Sequence, residues 1–473
     1  MFNKIKEKIR NFKPGFNYCW LSFLFIFLIF FNFSYYLNAD EGIILTGAWN
    51  LLNGRQIYID WFSFIPPGSF YFILIIWEIF FPNYLIAKFF ALLIIFFAAI
   101  GVYKISQLIT KKQHSAYCLL APSLFIASSL GWPVINHNCF NIALVIWSIY
   151  LFLKSLDDKN NYQNALLSGV LLGIASLFLL HKSLLIFSFF NLWLFLNFSI
   201  SREKKELKNI FLFNFAFIVL ASTIFLFASP HAIYENLIKY PLLNYGEVNK
   251  VSLHFLIVSL MVILMSFLYL APTMKKNKYF KFIFWLQLVI ILSTIQRPDS
   301  FHISIMFFPL IALVPTIAES LSTAKIETNR LIFILLPLII CVLLIPSLFN
   351  IIYAPPFYFF YQSPKLSYIN ENCKNSEYIY AGPFMPGLYF AAKKNQPTPF
   401  SFLITNHQTE EQFLQAKKDL EAKKPICIIM DYEMVEKFKY NRNNPVDQYI
   451  DNHYHLVKTI NHTQIYKLNS SSQ

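Results

Sequence analysis

The first 37 residues, "MFNKIKEKIRNFKPGFNYCWLSFLFIFLIFFNFSYYL" (1–37), place a basic segment immediately before a long apolar run. This order is also that of a signal peptide, but the segment lacks a small-x-small cleavage site and its apolar run is long for a signal core. We therefore predict an uncleaved first membrane span at about 17–37, with the basic N-terminus in the cytoplasm.

Comparable apolar runs recur along the 473 residues, of which 56% are hydrophobic and 14% charged. Soluble domains carry about 25% charged residues, whereas a run of about 20 apolar residues fits the hydrocarbon core of a bilayer. The sequence predicts an α-helical polytopic membrane protein with about 11 transmembrane helices. The expected spans are 17–37, 84–106, 115–132, 139–154, 163–180, 183–200, 209–229, 251–272, 279–295, 301–319 and 331–351.

The distribution of Lys and Arg supports this topology, because 20 lie in the segments predicted inside and 6 in the outer loops and span mouths. Such asymmetry sets the orientation of membrane proteins. It also accounts for the net charge of +14 without a nucleic-acid partner. The apolar segment 68–81 is too short to cross, and counting it as a span would invert every later loop. We expect it either to lie at the outer interface or to enter the membrane without crossing.

Beyond residue 351 the sequence becomes polar, and we predict a small C-terminal extracytoplasmic α/β domain at 352–473. Strands are expected within 374–382 and 425–431 and as a closing pair within 454–468, with a helix capped by Thr409. The transmembrane domain is then 1–351, including an outer loop, 38–83, with amphipathic helices. Of six cysteines only Cys373 and Cys427 lie outside the membrane region, and their spacing alone cannot establish a disulfide.

The outer loop opens with "NADEGIILTGAWNLLNGRQIYIDWFSFIPPGSF" (38–70). Asn38 or Asp40 can cap a helix with Glu41 in its first turn and an end at Gly54. Its apolar positions recur at helical spacing, which favours an amphipathic helix on the outer membrane surface. The two acids either stabilise the helix start or act on a lipid-linked substrate, as a base or as ligands of a divalent metal.

The Asp-Glu pair and the following "GAWNLLNGRQIYIDWFSFIPPGSFYF" (47–72) resemble the opening of the C-type (GT-C) glycosyltransferases. The resemblance is strongest to bacterial relatives of the protein O-mannosyltransferases and aminoarabinose transferases (PMT-like). It implies inverting transfer from a polyprenyl-phosphate sugar to a lipid, glycan or protein acceptor at the outer face of the inner (cytoplasmic) membrane. It also implies Asp40 as general base, Glu41 as its catalytic neighbour, and Asp60 as a contact to acceptor or metal. Ser69 stands where the family often has a charged residue after the proline pair.

Further candidates for substrate binding lie in other outer loops. His137 is either a loop tip or a substrate contact, and Lys182 either binds a donor phosphate or extends to the headgroups. "STIQRPDSFHIS" (293–304) brings Arg297, Asp299 and His302 together near the membrane plane, where such groups are costly unless they pair or bind a ligand. Arg297 suits bidentate phosphate binding, and the resemblance implies the same role for this loop. A phosphate-bound sugar would then lie between this loop and the acids.

Two other functions remain open. One is a transporter or flippase of a lipid-linked sugar, although the sequence shows no internal repeat of the kind typical of transporters. The other is a non-catalytic envelope protein whose outer domain binds a partner. No cofactor is required by the sequence. A divalent metal stays open, but the outer loops contain no DxD motif.

Overall fold

The computed structural model describes residues 14–33, 39–111, 116–157, 162–244, 259, 277–294, 300–323 and 364–469. Their contacts divide the chain into two units. The first contains described residues within Met1–Ser34, Lys88–Thr223 and Lys250–Phe357, and the second contains those within Tyr35–Ala87, Ile224–Asn249 and Tyr358–Gln473. The α-helices before residue 324 are α1 (Pro14–Asn32), α2 (Ala39–Leu52), α3 (Gly68–Ile79), α4 (Tyr84–Thr110), α5 (Leu120–Ser128), α6 (His137–Asp157), α7 (Tyr162–Ser176), α8 (Leu180–Ser201), α9 (Lys204–Ser222), α10 (Pro230–Tyr234), α11 (Tyr240–Asn244), α12 (Lys278–Thr294), α13 (Ser300–Met306) and α14 (Phe308–Thr323).

Long apolar helices confirm a multi-pass membrane protein. Within the described ranges, five are long and apolar enough to cross a membrane: Gly15–Asn32, Tyr84–Thr110, His137–Asp157, Leu180–Ser201 and Lys204–Leu226. The predicted spans 251–272 and 331–351 fall outside the described residues apart from residue 259, and the total of about 11 stays a prediction. Helix α3 has only 12 residues, which is too short to cross a bilayer unaided.

The helices of the first unit pack through short polar contacts and stacked rings. Ser148 of α6 and Ser168 of α7 each donate a hydrogen bond to the other's carbonyl at 2.9 Å, so the two backbones approach closely. Phe152 lies against Phe190 and Phe282, with ring centroids 4.1 and 5.2 Å apart. Because lipid tails are as apolar as these side chains, helix association in membranes depends on such packing and interhelical hydrogen bonds.

The C-terminal part of the second unit is a four-stranded sheet covered by short helices. Its elements are α15 (Pro364–Asn372), β1 (Ile379–Gly382), α16 (Gly387–Ala391), α17 (Glu410–Lys423), β2 (Cys427–Met430), α18 (Pro445–His453), β3 (Tyr454–Ile460) and β4 (Thr463–Leu468). The strand order is β1-β2-β4-β3. β1 and β2 are parallel, and the other two pairs are antiparallel. The predicted α/β architecture is confirmed.

Two features stabilise this sheet region, a capped helix and a disulfide. Thr409 forms the predicted cap of α17, in a capping box with Gln412. Cys373, which follows α15, is joined to Cys427 of β2 by a disulfide whose Cα atoms are 6.1 Å apart. This disulfide links two segments separated by 54 positions, a connection that the cysteine spacing left undecided.

A buried carboxylate of α18, that of Asp447, holds the loop that precedes this helix. Asp447 is 1% exposed and accepts hydrogen bonds from Tyr432 at 2.5 Å, from Tyr440 at 2.6 Å and from the Asn444 amide. Burial is the largest influence on the pKa of Asp447 and raises it above the ordinary 3.8, while the three hydrogen bonds oppose this in part. Asn444 also caps α18.

The outer loop 38–83 groups with the C-terminal residues, whereas the sequence placed it in the transmembrane domain. Trp77 of α3 stacks on Phe390 of α16, with ring centroids 4.7 Å apart. The Phe62 amide donates to the Pro399 carbonyl at 3.0 Å. Apolar side chains that suggest a membrane surface are therefore buried by the C-terminal part of the chain. The predicted boundary at 351/352 lies outside the described residues.

Candidate active site

Asp40 and Glu41 lie in the first turn of α2, which begins at Ala39. Asp40 is thus inside the helix and does not cap it, and Asn38, the other predicted cap, lies outside the described residues. Asp40 is partly buried, whereas Glu41 is 1% exposed. Glu41 accepts a hydrogen bond from the Tyr84 hydroxyl at 2.7 Å. The two adjacent acids therefore have different surroundings, with Asp40 the more accessible.

The position of α2 is fixed by close contact with the segment that begins α16. A Cβ atom added at Gly42 would lie 2.5 Å from the Gly387 nitrogen, so only glycine permits this approach. One turn later, the Thr46 hydroxyl donates to the Pro386 carbonyl at 2.6 Å. These contacts hold the backbone that carries the acid pair. Helix α2 is enclosed on more than one side, and is not a surface helix with a single buried stripe.

Asp60 is part of a turn. Its carboxylate accepts a hydrogen bond from the Gln56 amide at 2.7 Å, and its carbonyl accepts one from the Arg55 guanidinium at 2.8 Å. Tyr58, in the same turn, has a positive φ of 65°, and the two hydrogen bonds hold this uncommon backbone conformation. The contacts explain Asp60 structurally, and its role toward acceptor or metal stays a prediction.

In the first unit, Asn138 connects three of the predicted binding residues. Its amide nitrogen lies 3.0 Å from His137 Nε2 and 3.4 Å from His302 Nε2. Its amide oxygen accepts a hydrogen bond from Lys182 Nζ at 3.3 Å. Asn136 Oδ1 accepts from the Asn138 backbone amide at 2.8 Å. We call these five residues the His–Asn–Lys cluster.

This cluster lies where helices of the first unit begin, at the N-termini of α6 and α8 and within α13. A small cavity of about 20 Å³ adjoins Asn138 and Lys182. Asn138 and His302 are 2% and 7% exposed, so the cluster is a buried polar network of the kind that orients its members. Arg297 and Asp299, predicted beside His302, lie outside the described residues.

The described part of the chain contains no group of three His, Cys, Asp or Glu side chains suited to a metal ion. The acids of α2 and the His–Asn–Lys cluster belong to different units, and the predicted site between them stays a prediction. Sequence reasoning missed Tyr84 and the connecting role of Asn138. The sequence shows Asn138 as one of two asparagines flanking His137, but it carries no local signal of the contacts with Lys182 and His302. Tyr84 likewise carries no local signal of its contact with Glu41.

Comparison with known proteins gives one family match. Residues 65–234 match the family described as dolichyl-phosphate-mannose-protein mannosyltransferase, which is less than half of the chain. No curated protein sequence matches the chain significantly.

Solved structures show the same fold across nearly the whole chain. ArnT from Cupriavidus metallidurans bound to undecaprenyl phosphate matches with a TM-score of 0.63 and 10% identity, covering 98% of this chain and 99% of ArnT. The apo state of ArnT matches with a TM-score of 0.62 and 10% identity, covering 97% of this chain and 98% of ArnT. The Archaeoglobus fulgidus oligosaccharyltransferase in complex with Zn and sulfate matches with a TM-score of 0.55 and 12% identity. The match covers 95% of this chain and 73% of the oligosaccharyltransferase. The chain has an ArnT-like fold, and the predicted resemblance to PMT-like C-type glycosyltransferases is confirmed.

Proposed function

We propose that this protein is an inverting glycosyltransferase that moves a sugar from a polyprenyl-phosphate donor to a lipid, glycan or protein acceptor. The observation that carries the proposal is the Asp40–Glu41 pair at the start of α2, in a chain with the fold of ArnT. The family match over 65–234 supports the same class of reaction. ArnT binds undecaprenyl phosphate in one of its solved structures, and we extend that class of lipid carrier to this chain.

In the proposed reaction, Asp40 removes the proton of an acceptor hydroxyl or amine. The acceptor atom attacks the anomeric carbon from the face opposite the phosphate, and the bond to the phosphate oxygen breaks. The polyprenyl phosphate leaves with the electron pair, so the configuration at the anomeric carbon inverts. General bases of this kind contribute about 10²- to 10⁴-fold to rate.

The different burial of the two acids supports this division of roles. A general base must come within hydrogen-bond distance of the proton it removes, and Asp40 is the more accessible carboxylate. Glu41 is buried and accepts the Tyr84 hydroxyl, so we assign it a positioning role. A negative side chain in the first turn also interacts favourably with the helix dipole, which favours both acids at this location.

Lys182 is the described residue best suited to the leaving phosphate. Its ammonium group is oriented by Asn138, and a cation near the phosphate stabilises the charge that develops as the bond breaks. We assign the same role to Arg297 from the sequence. We assign no step to a metal ion.

We further propose that the acids and the sheet domain face the outside of the cytoplasmic membrane. Two observations support this orientation. Lys and Arg are concentrated in the segments predicted inside, and the Cys373–Cys427 disulfide is typical of an oxidising compartment.

The test uses full-length protein in detergent with undecaprenyl-phosphate mannose or undecaprenyl-phosphate aminoarabinose, and a membrane extract of the source organism as acceptor. Release of undecaprenyl phosphate is measured for wild type, Asp40→Asn, Glu41→Gln and Glu421→Gln. Glu421 is an exposed carboxylate paired with Lys417, so its variant is the matched control.

We expect Asp40→Asn to lower the rate at least about 100-fold, since it removes a general base, and Glu421→Gln to match wild type. Glu41→Gln should give an intermediate loss. Full activity of a folded Asp40→Asn protein would refute the assignment of the base. Movement of the donor across proteoliposomes without sugar transfer would instead favour a flippase.

A further inference from the structure

A cavity of about 790 Å³ lies in the first unit, lined by parts of α1, α4, α6 and α12. Helix α6 carries His137 at its start and contributes Asp157, its last residue, to the cavity. A helix of 21 residues is roughly 30 Å long. The cavity therefore lies far from the His–Asn–Lys cluster, and none of its lining residues belongs to the candidate active site.

One end of the cavity contains a buried amide whose oxygen has no hydrogen-bond partner among the described residues. Asn17 is 5% exposed, and its Nδ2 donates to the Tyr103 hydroxyl at 2.9 Å. Its Oδ1 has no hydrogen-bond partner among the described residues. If the amide oxygen and nitrogen were exchanged, the oxygen would bond Tyr103 and the nitrogen would lack a partner among the described residues instead. Because buried polar groups are almost always hydrogen-bonded, this side chain indicates a ligand with polar groups.

The same end carries excess positive charge. Lys104 and Lys111 line the cavity, and Asp157 is its one lining acid among the described residues. Asp157 is paired with Lys278 at 2.8 Å, which offsets its charge. The two lining lysines therefore favour an anion, and a phosphate group suits flexible ammonium groups of this kind.

The other end of the cavity is apolar. Leu21, Phe96 and Ile100 line it, and Phe25 closes over Phe96, with ring centroids 4.8 Å apart. The stripe of α4 from Phe96 to Lys111 rises roughly 22 Å along the helix. A ligand that fills the cavity must therefore be charged at one end and apolar along its length, which describes a lipid better than a free ion.

We propose that this cavity binds one anionic phospholipid with a hydroxyl-bearing headgroup. The phosphate lies near Lys104 and Lys111, a headgroup hydroxyl bonds the Asn17 amide, and an acyl chain extends past Ile100. The basic residues predicted inside place this end of the helices at the cytoplasmic leaflet. The inference does not depend on the transfer reaction proposed above, because it concerns the opposite end of α6.

The experiment titrates delipidated full-length protein with phosphatidylglycerol or phosphatidylcholine of identical acyl chains and counts bound lipids by native mass spectrometry. Lys104→Gln combined with Lys111→Gln should weaken phosphatidylglycerol binding about 30-fold, since each lysine near an anionic headgroup contributes about 5-fold. Phosphatidylcholine binding should not change. Lys208→Gln is the matched control, since Lys208 lies over the Tyr162 ring at 3.8 Å, also in a segment predicted inside, but does not line the cavity.

A third variant separates a lipid from free phosphate. Ile100→Trp fills the apolar end and should weaken phosphatidylglycerol binding, while leaving the lysines in place. Phosphatidylglycerol binding that is unaffected by Ile100→Trp, together with competition by inorganic phosphate, would refute a lipid as the occupant. Equal binding of the two lipids by wild type and by the lysine variant would refute the anion site. The single variant Lys104→Gln, expected to lose about 5-fold, keeps the test decisive if the double variant does not fold.

Discussion

Replacing Gly42 by alanine tests whether the position of α2 controls the acid pair. The added Cβ would lie 2.5 Å from the Gly387 nitrogen and 2.7 Å from its Cα. Backbone atoms cannot rotate away as a side chain would, so α2 and α16 must separate by about 0.9 Å to restore a contact of ordinary van der Waals length. Overpacking of this kind costs about 1–3 kcal/mol.

The functional effect should exceed the effect on stability. Gly42 directly follows Asp40 and Glu41, so the displacement reaches the proposed base, and a misplacement of about 1 Å can cost about 100-fold in rate. We expect Gly42→Ala to lower kcat/KM by about 10- to 100-fold and to lower the thermal midpoint by a few degrees. Donor turnover and thermal unfolding would be measured on the same preparation.

Gly15→Ala is the matched control, because a Cβ at Gly15, also in the first turn of a helix, meets nothing within 4 Å. It should preserve both activity and the thermal midpoint. A Gly42→Ala protein with kcat/KM and midpoint equal to those of Gly15→Ala would refute the close contact between α2 and α16. A lower thermal midpoint with unchanged kcat/KM would instead show that the position of α2 does not control catalysis.

Three further predictions concern the disulfide, a buried acid and the His–Asn–Lys cluster. Replacing both Cys373 and Cys427 by alanine should destabilise the sheet domain by about 4 kcal/mol, because the unfolded chain gains the entropy of an open loop with a 54-residue separation. Urea unfolding of full-length protein measures this loss, and unchanged stability would contradict the prediction. The raised pKa of Asp447 means that the folded protein holds this proton more tightly than the unfolded chain does. The contribution of Asp447 to stability is therefore complete below about pH 4 and is lost as pH rises through the folded-state pKa. The thermal midpoint should fall over this pH range in wild type and should not show this fall in Asp447→Asn. Asn138→Leu should raise the KM for the donor about 10-fold, since it removes a hydrogen-bond partner of the proposed phosphate-binding lysine. Asn141, one turn later, donates hydrogen bonds to the Ala175 carbonyl and the Ser183 hydroxyl on neighbouring helices. Asn141→Leu should therefore lower stability without changing KM.

Features that depend on neighbouring residues in the sequence were predictable. The apolar runs predict the long membrane helices, and short runs of β-branched and aromatic residues predict the strands of the sheet domain. Thr409 is recognisable as a cap because the residues it contacts follow within one turn. Asp60 was also correctly placed in the loop, but its sequence position does not reveal that its carboxylate holds a turn.

Features that depend on distant contacts were not predictable from this sequence alone. Gly42 meets Gly387 across more than 300 positions, and no periodicity links the two. Apolar residues of the outer loop favour a membrane surface equally well as a protein surface, because both bury hydrocarbon. The Asn138 contacts join three separate helices, so only the packing of those helices reveals them.

The proposed base is tested most directly by a nucleophile that carries no proton. Azide can attack the anomeric carbon of undecaprenyl-phosphate mannose or aminoarabinose without deprotonation, so it bypasses the step assigned to Asp40. We predict that Asp40→Ala transfers sugar to azide and yields a glycosyl azide of inverted configuration, but transfers to the natural acceptor at least about 100-fold more slowly than wild type. Transfer by Asp40→Ala to the natural acceptor at the wild-type rate would contradict this account.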